Sequence, residues 1–242
     1  MDLKLQRIFS WFGIAWMVLF FVGFMLVAGL VPPLSPSASA TEIAEFLTEN
    51  ALPVRLGLAF VMLMTYVSLP FFVVVCQRIR SLEGKWGTLS LMQVFGGVIF
   101  VPGAVFPLMV LAVAAYRPER GPEITQALND MFWLMFLGLV GALITQGTST
   151  ALATFIYDDV PWAFPRWFGY LSIWYVIVNV PAAAVVLFHS GPMAWNGIFA
   201  FWLPMAGFFA WLAGLTIVML RSIKTESSCA TTDDAAVLRS TT

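Results

Sequence analysis

The sequence predicts an all-α integral membrane protein, a bundle of six transmembrane helices with both termini in the cytoplasm. Three observations predict it. Of 242 residues, 60% are hydrophobic and only 10% are charged, and the mean hydropathy is +0.89; a soluble domain carries about 25% charged residues. Six apolar runs each have the length of about 20 residues that a bilayer crossing takes. The cations are also segregated. With six spans, Lys4, Arg7, Arg78, Arg80, Lys85, Arg166, Arg221, Lys224 and Arg239 fall on the side of the termini, and only Arg55, Arg117 and Arg120 fall opposite. Positively charged loops stay inside, so that asymmetry puts both ends in the cytoplasm.

The spans are predicted at about residues 9–31, 56–76, 86–116, 131–157, 168–189 and 198–220, within one domain covering 1–224. The first run is about twice as long as a signal-peptide core and is separated by prolines from the Ala38-Ser39-Ala40 cleavage-like site. It reads as an uncleaved helix, with a cleaved signal as the alternative. Pro32-Pro33 ends it. Ser39 and Glu42 then have capping-box spacing, and TEIAEFLTEN reads as an amphipathic helix on the membrane surface, with Ile43, Phe46 and Leu47 on its apolar face. Pro70 marks a kink in the second span, and Pro102 and Pro107 interrupt the third. Residues 225–242 are rich in Ser and Thr with little to bury, which predicts a disordered cytoplasmic tail.

The stretch GLVGALITQGTSTALAT, residues 138–154, places polar residues inside an apolar run. At helical spacing Gly138, Ala142, Thr145 and Ser149 share a face with Gln146 at its edge. Small residues allow close approach and the polar ones need partners in lipid, which predicts that the fourth span sits centrally. A shift of 81 residues superposes Glu42-Ile43 on Glu123-Ile124 and Leu56-Gly57-Leu58 on Leu137-Gly138-Leu139. That register suggests a parallel pseudo-repeat of helices 1–2 and 3–4, with chance matching of Leu-rich segments as the competing account.

Composition excludes several function classes. A net charge of −1 without a basic stripe leaves no nucleic-acid partner. Cys76 and Cys229 form no CxxC pattern, and His189 is the sole histidine, so neither a metal centre nor a cofactor is expected. No Asp, Glu, Lys or Arg falls near the middle of a span, which disfavours a proton relay or a charged channel ring. As a general base His189 would need a partner such as Ser190 or Asp130, and a headgroup-level imidazole is the plainer reading.

What remains at mid-depth is neutral and polar. Thr65, Tyr66, Thr145, Gln146, Ser149 and Asn179 form the candidate ligand-binding set, because a few hydrogen-bonding groups in an apolar pocket orient a largely apolar ligand. Interhelical hydrogen bonding accounts for the same residues without a ligand. Outside, Arg55, Arg117 and Arg120 face Glu42 and Glu123, a charge cluster that seals the bundle or holds a carboxylate; simple loop packing explains it equally.

FPRWFGY, Phe164 to Tyr170, followed by GPMAWNG, Gly191 to Gly197, resembles the turn before the penultimate helix of multi-pass bacterial inner-membrane proteins. The resemblance covers the last third of the chain. It implies the cytoplasmic (inner) membrane of a bacterium and carries no activity with it. The leading expectation is a non-enzymatic protein that binds or passes a hydrophobic small molecule, lipid or sterol-like. An accessory subunit packed against another membrane protein comes second, and a membrane enzyme using His189 a distant third. Binding requires a closed cavity reaching Gln146 and Asn179; an accessory role requires small residues facing out of the bundle.

Overall fold

The computed structural model describes residues 2–117 and 119–240, with 230–240 described by backbone alone. Among them there is no strand, and six helical segments are long and apolar enough to cross a membrane: Leu3–Val27, Ala51–Glu83, Thr88–Tyr116, Pro122–Ile156, Arg166–Leu187 and Ile198–Cys229. Only 33–50% of each apolar window is buried within the protein. The rest, including Leu26, Leu63, Phe95, Phe106 and Ile177, points outward as a continuous apolar belt. A belt of that extent is solvated by lipid, not by water.

Local chemistry sets the ends. Asp2 Oδ1 accepts from Leu5 N–H at 3.0 Å and starts the first span earlier than hydropathy places it. Gly29 (φ 64°) and Gly84 (φ 71°) adopt the left-handed conformation just past the first and second spans, which suits glycine. The second span breaks at Tyr66–Val67, between helices Ala51–Thr65 and Ser68–Glu83. Pro70 is the cause, since it has no N–H for the Tyr66 carbonyl four residues before it.

Gly57 makes the tightest crossing between the first two spans. A Cβ there would lie 2.6 Å from the Gly23 carbonyl oxygen and 2.7 Å from the Ala28 nitrogen. Beside it, Trp16, Phe20 and Phe24 line one face of the first span at four-residue intervals. Phe20 stacks on Phe24 at 5.2 Å and Phe24 on Phe136 of the fourth span at 5.3 Å, while Trp16 meets Phe100 and Phe208 edge-on at 5.5 and 5.7 Å. Such pairs add about 0.5–1.5 kcal/mol each beyond burial.

The third and fourth spans pack together along their length; the third also lies against both halves of the second, and the fourth against the fifth and the helix Ala40–Glu49. The fourth is two helices, Pro122–Gly138 and Gly141–Ile156, broken at Leu139–Val140. Gly138 is therefore not on the face of Thr145 and Ser149. The buried face of Gly141–Ile156 runs through Gln146, Gly147, Thr150, Ala153 and Thr154, while Ala142 and Thr145 are half-exposed. The break also bears on the internal repeat. The surface helix of the first hairpin, Ala40–Glu49, is separate, whereas its counterpart runs straight into the membrane within Pro122–Gly138.

The helix Ala40–Glu49 packs its apolar face on the fourth span, with Ile43 and Leu47 buried by protein rather than spread on a membrane surface. The preceding loop is tied down by Gln126 Nε2 donating to Ala38 O at 3.2 Å and Trp195 Nε1 donating to Leu34 O at 2.8 Å. At the face carrying the termini, Arg78 is fully buried and donates to Glu226 and, at 2.8 Å, to Ser222 Oγ. That anchor lies in the segment where composition predicts a disordered tail from residue 225. The last helix runs from Leu203 to Ser240; Thr241 and Thr242 lie outside the described residues.

Glu226→Ala leaves the Arg78 charge buried without its partner, and the expected cost is about 3 kcal/mol in an SDS-titration unfolding curve. Gly57→Ala forces backbone against backbone and is expected to cost about 1–3 kcal/mol by the same measurement. Gly103→Ala, whose Cβ would meet nothing within 4 Å, is expected to cost nothing.

Candidate functional site

Breaks in the fourth, fifth and sixth spans converge beside two prolines of the third. The third contains Pro102 and Pro107, and the fourth breaks at Leu139–Val140. The fifth changes from α-helix to a 3-10 turn at Val180, one residue before Pro181. The sixth begins as a π-helix, Ile198–Trp202, followed by Pro204. Between them, and closed on one side by Trp16 and Phe20 of the first span, lies a cavity of about 570 Å³. That size falls within the roughly 300–1,000 Å³ of small-molecule sites.

Its walls are apolar except at two places. Val98 to Phe106, Phe136 to Leu143, and Ala200 to Phe209 supply most of the surface; the polar side chains on it are Asn179 and the indole of Trp16, whose Nε1 is buried without a hydrogen-bond partner among the described residues. Asn179 is 2% exposed. Its Nδ2 donates to Tyr175 O at 2.8 Å, which fixes the carboxamide orientation, and its Oδ1 accepts no hydrogen bond among the described residues. The rim residues Val98, Ile99, Phe106 and Leu139 are 56–63% exposed. The mouth therefore opens sideways, into the apolar belt, rather than toward either face.

Main-chain groups supply further polarity. Pro102, Pro107 and Pro204 give no N–H to the carbonyls of Val98, Gly103 and Ala200, and all three of those residues line the cavity. Gly141, Ala142 and Leu143, also on the wall, form the first turn of the fourth span's second helix. The leading N–H groups of a helix have no intrahelical acceptor, and the helix dipole is positive at that end.

Of the six candidate ligand-binding residues, Asn179 alone lines the cavity; the space opens sideways and does not reach Gln146, so the closed cavity expected at both residues is not found. Tyr66 points outward, 53% exposed. Thr65 is buried and donates to Val61 O at 2.8 Å within its own helix. Thr145 likewise donates to Gly141 O at 2.9 Å, and Ser149 to Gln146 O at 3.2 Å.

Gln146 belongs to a second polar layer, nearer the face that carries the termini. Its carbonyl accepts from Gln93 Nε2 at 3.2 Å and Thr150 Oγ1 at 3.0 Å. Ser172 Oγ accepts from Trp211 Nε1 at 3.1 Å and from Thr150 Oγ1 at 3.4 Å. The Gln146 side chain packs on Gly96, where a Cβ would come within 2.6 Å of its Cγ. Hydrogen bonds through the Gln146 main-chain carbonyl and Ser172 join the third, fourth, fifth and sixth spans, while the Gln146 carboxamide is buried with neither Nε2 nor Oε1 hydrogen-bonded among the described residues.

Sequence reasoning missed Gln93, Thr150 and Ser172, although Gln93 carries the same signal as Gln146, a lone amide in an apolar run. It also missed Gly103 and Pro204 as wall residues. The signal for those is the convergence of Gly/Pro-interrupted spans, which point to a binding site between broken helices.

The outer charges do not form a cluster. Arg55 lies over the Tyr116 ring at 5.3 Å, and Arg120 donates to Val113 O at 3.1 Å. Glu42 is engaged in its capping box, Arg117 and Glu123 are exposed, and no ion pair joins any of them among the described residues. These groups stand in water, where separate hydration competes well with exposed pairing. His189 is exposed; its main-chain carbonyl accepts from Ser37 Oγ at 3.2 Å, and its ring makes no hydrogen bond. Among the described residues no three His, Cys, Asp or Glu side chains converge as a metal site would require.

The Ser39 N–H and hydroxyl, at 2.7 and 2.9 Å, hold the Glu42 carboxyl below the ordinary glutamate range. A lowered acid stabilises the fold above its unfolded pKa and loses that contribution as pH falls through its folded value. Protection of the Ile43 amide, relative to its intrinsic exchange rate, is thus expected to fall on acidification below the ordinary glutamate range. Glu42→Gln, which removes the titrating group, should abolish that pH dependence. Compared with known proteins, the chain matches no family model, no curated protein and no solved structure.

Proposed function

We propose that this chain is a non-enzymatic protein of the cytoplasmic membrane of a bacterium, with both termini inside, that binds or passes a hydrophobic small molecule taken from the lipid. The single observation that carries this reading is the apolar cavity of about 570 Å³ whose mouth opens into the lipid-facing belt. A molecule already dissolved in the bilayer reaches it without crossing water. Irregular backbone at membrane depth is tolerated where it lines a cavity or is buried in protein, and the irregular turns of the fourth, fifth and sixth spans meet at this one. The cation asymmetry supports the orientation, which places the cavity from mid-depth toward the outer leaflet.

A second reading has its own support. Gly103, Ala104, Gly141 and Ala142 lie on the cavity wall, and small residues of this kind let a foreign helix approach closely. An accessory subunit would seat a partner's helix in the same crevice.

Gly103→Phe and Gly141→Phe separate the two. Neither position meets a neighbouring atom within 4 Å of an added Cβ, so each variant fills the crevice without displacing the core. Native mass spectrometry of wild-type protein extracted with its own membrane is expected to show a retained lipophilic molecule that both variants lose. Equal retention by wild type and variants would rule the cavity out as the site. A second protein at fixed stoichiometry, lost in the variants while bound lipid is unchanged, would favour the subunit reading.

A further inference from the structure

Resting on the binding reading above, we infer that the cavity selects an amphiphile with one long apolar chain and an uncharged head bearing a hydroxyl, a long-chain alcohol in type. The argument begins with what the wall lacks. None of its residues is Asp, Glu, Lys, Arg or His. A carboxylate, phosphate or ammonium drawn into this space would shed its hydration and meet no counter-charge, and that desolvation costs far more than neutral hydrogen bonds return. Fatty acids, phospholipid heads and amines are therefore rejected.

What the wall offers fits a hydroxyl. The Asn179 Oδ1 is an acceptor without a partner, on a side chain that is 2% exposed and oriented by its bond to Tyr175 O. The carbonyls of Val98, Gly103 and Ala200 have lost their proline-position donors and add acceptor capacity. Gly141, Ala142 and Leu143, the first turn of their helix, line the same space, and first-turn N–H groups have no intrahelical acceptor. A hydroxyl both donates and accepts, so one such group satisfies an acceptor of the first kind and a donor of the second. An alkane would leave them all unpaired in a medium that supplies no water. The rest of the molecule lies against Trp16, Phe100 and Phe208, three rings already fixed by edge-on and stacked contacts with one another. The chain end of such a molecule leads out past Val98 and Phe106 into lipid.

The test uses the full chain in lipid nanodiscs and measures binding of labelled 1-hexadecanol, hexadecanoate at pH 9 and hexadecane. Hexadecanol is expected to bind about tenfold or more tightly than either of the others, the size of effect that one unpaired buried polar group produces. Asn179→Leu, close in volume, should bring hexadecanol down to the level of hexadecane while leaving hexadecane binding in place. If Asn179→Leu does not fold, Asn179→Ala serves the same comparison. Hexadecanoate binding as tightly as hexadecanol, or an alcohol preference that survives both substitutions, would overturn the head-group assignment and leave the binding reading standing. Failure of all three compounds to bind, or equal binding by Gly103→Phe, would remove the binding reading itself.

Discussion

The structure depends on one constraint: main-chain N–H and C=O groups at membrane depth have no water to turn to. Every helix break must be covered by protein or must line a space where something else satisfies it. The break at Leu139–Val140 is the sharpest instance. It frees the leading N–H groups of one helix and the trailing carbonyls of another in the middle of a span. The third span answers by packing along both halves of the fourth, the fifth and sixth by placing their own irregular turns opposite. The cavity lies where these turns meet the prolines of the third span.

Around that feature the bundle is divided by depth. Toward the face with the termini the core is polar, with Gln93, Gln146, Thr150, Ser172 and Trp211 linked across four spans. At the very end, the buried Arg78 is held by Glu226 and Ser222. Toward the other face the core is aromatic and incompletely filled, with rings on the first, third, fourth and sixth spans surrounding the cavity. Hydrogen bonds are directional and lock one geometry, whereas ring contacts tolerate sliding. The packed polar layer is suited to hold the spans in register while the apolar half admits a guest.

Much of the architecture was legible in one dimension. Long apolar runs, sparse charge and proline positions located six spans, the kink near Pro70 and the capping box at Ser39–Glu42. The site was legible only in part. Asn179 stood out as a lone amide in an apolar run and does line the cavity, but Gln146 gave the same signal and lies in the packed layer. Tyr66 and Thr65 are neighbours in sequence yet one faces outward and the other binds its own helix, because successive helical residues point about 100° apart. Polar character at a given depth says that a partner is needed; it does not say whether a neighbouring helix or a ligand supplies it.

Sequence alone determined that this chain crosses a membrane six times, which end of each span carries cations, and where proline removes a hydrogen bond. Those follow from hydrophobic length and local covalent geometry, which are properties of a segment by itself. Tertiary structure decided that the surface helix packs on the fourth span, and that the breaks of the fourth, fifth and sixth spans face the prolines of the third. The rotation of each helix about its own axis controls these outcomes. In spans apolar on every side, hydrophobicity does not fix that rotation, and close contacts such as Gly57 on Gly23 and Gly96 on Gln146 do.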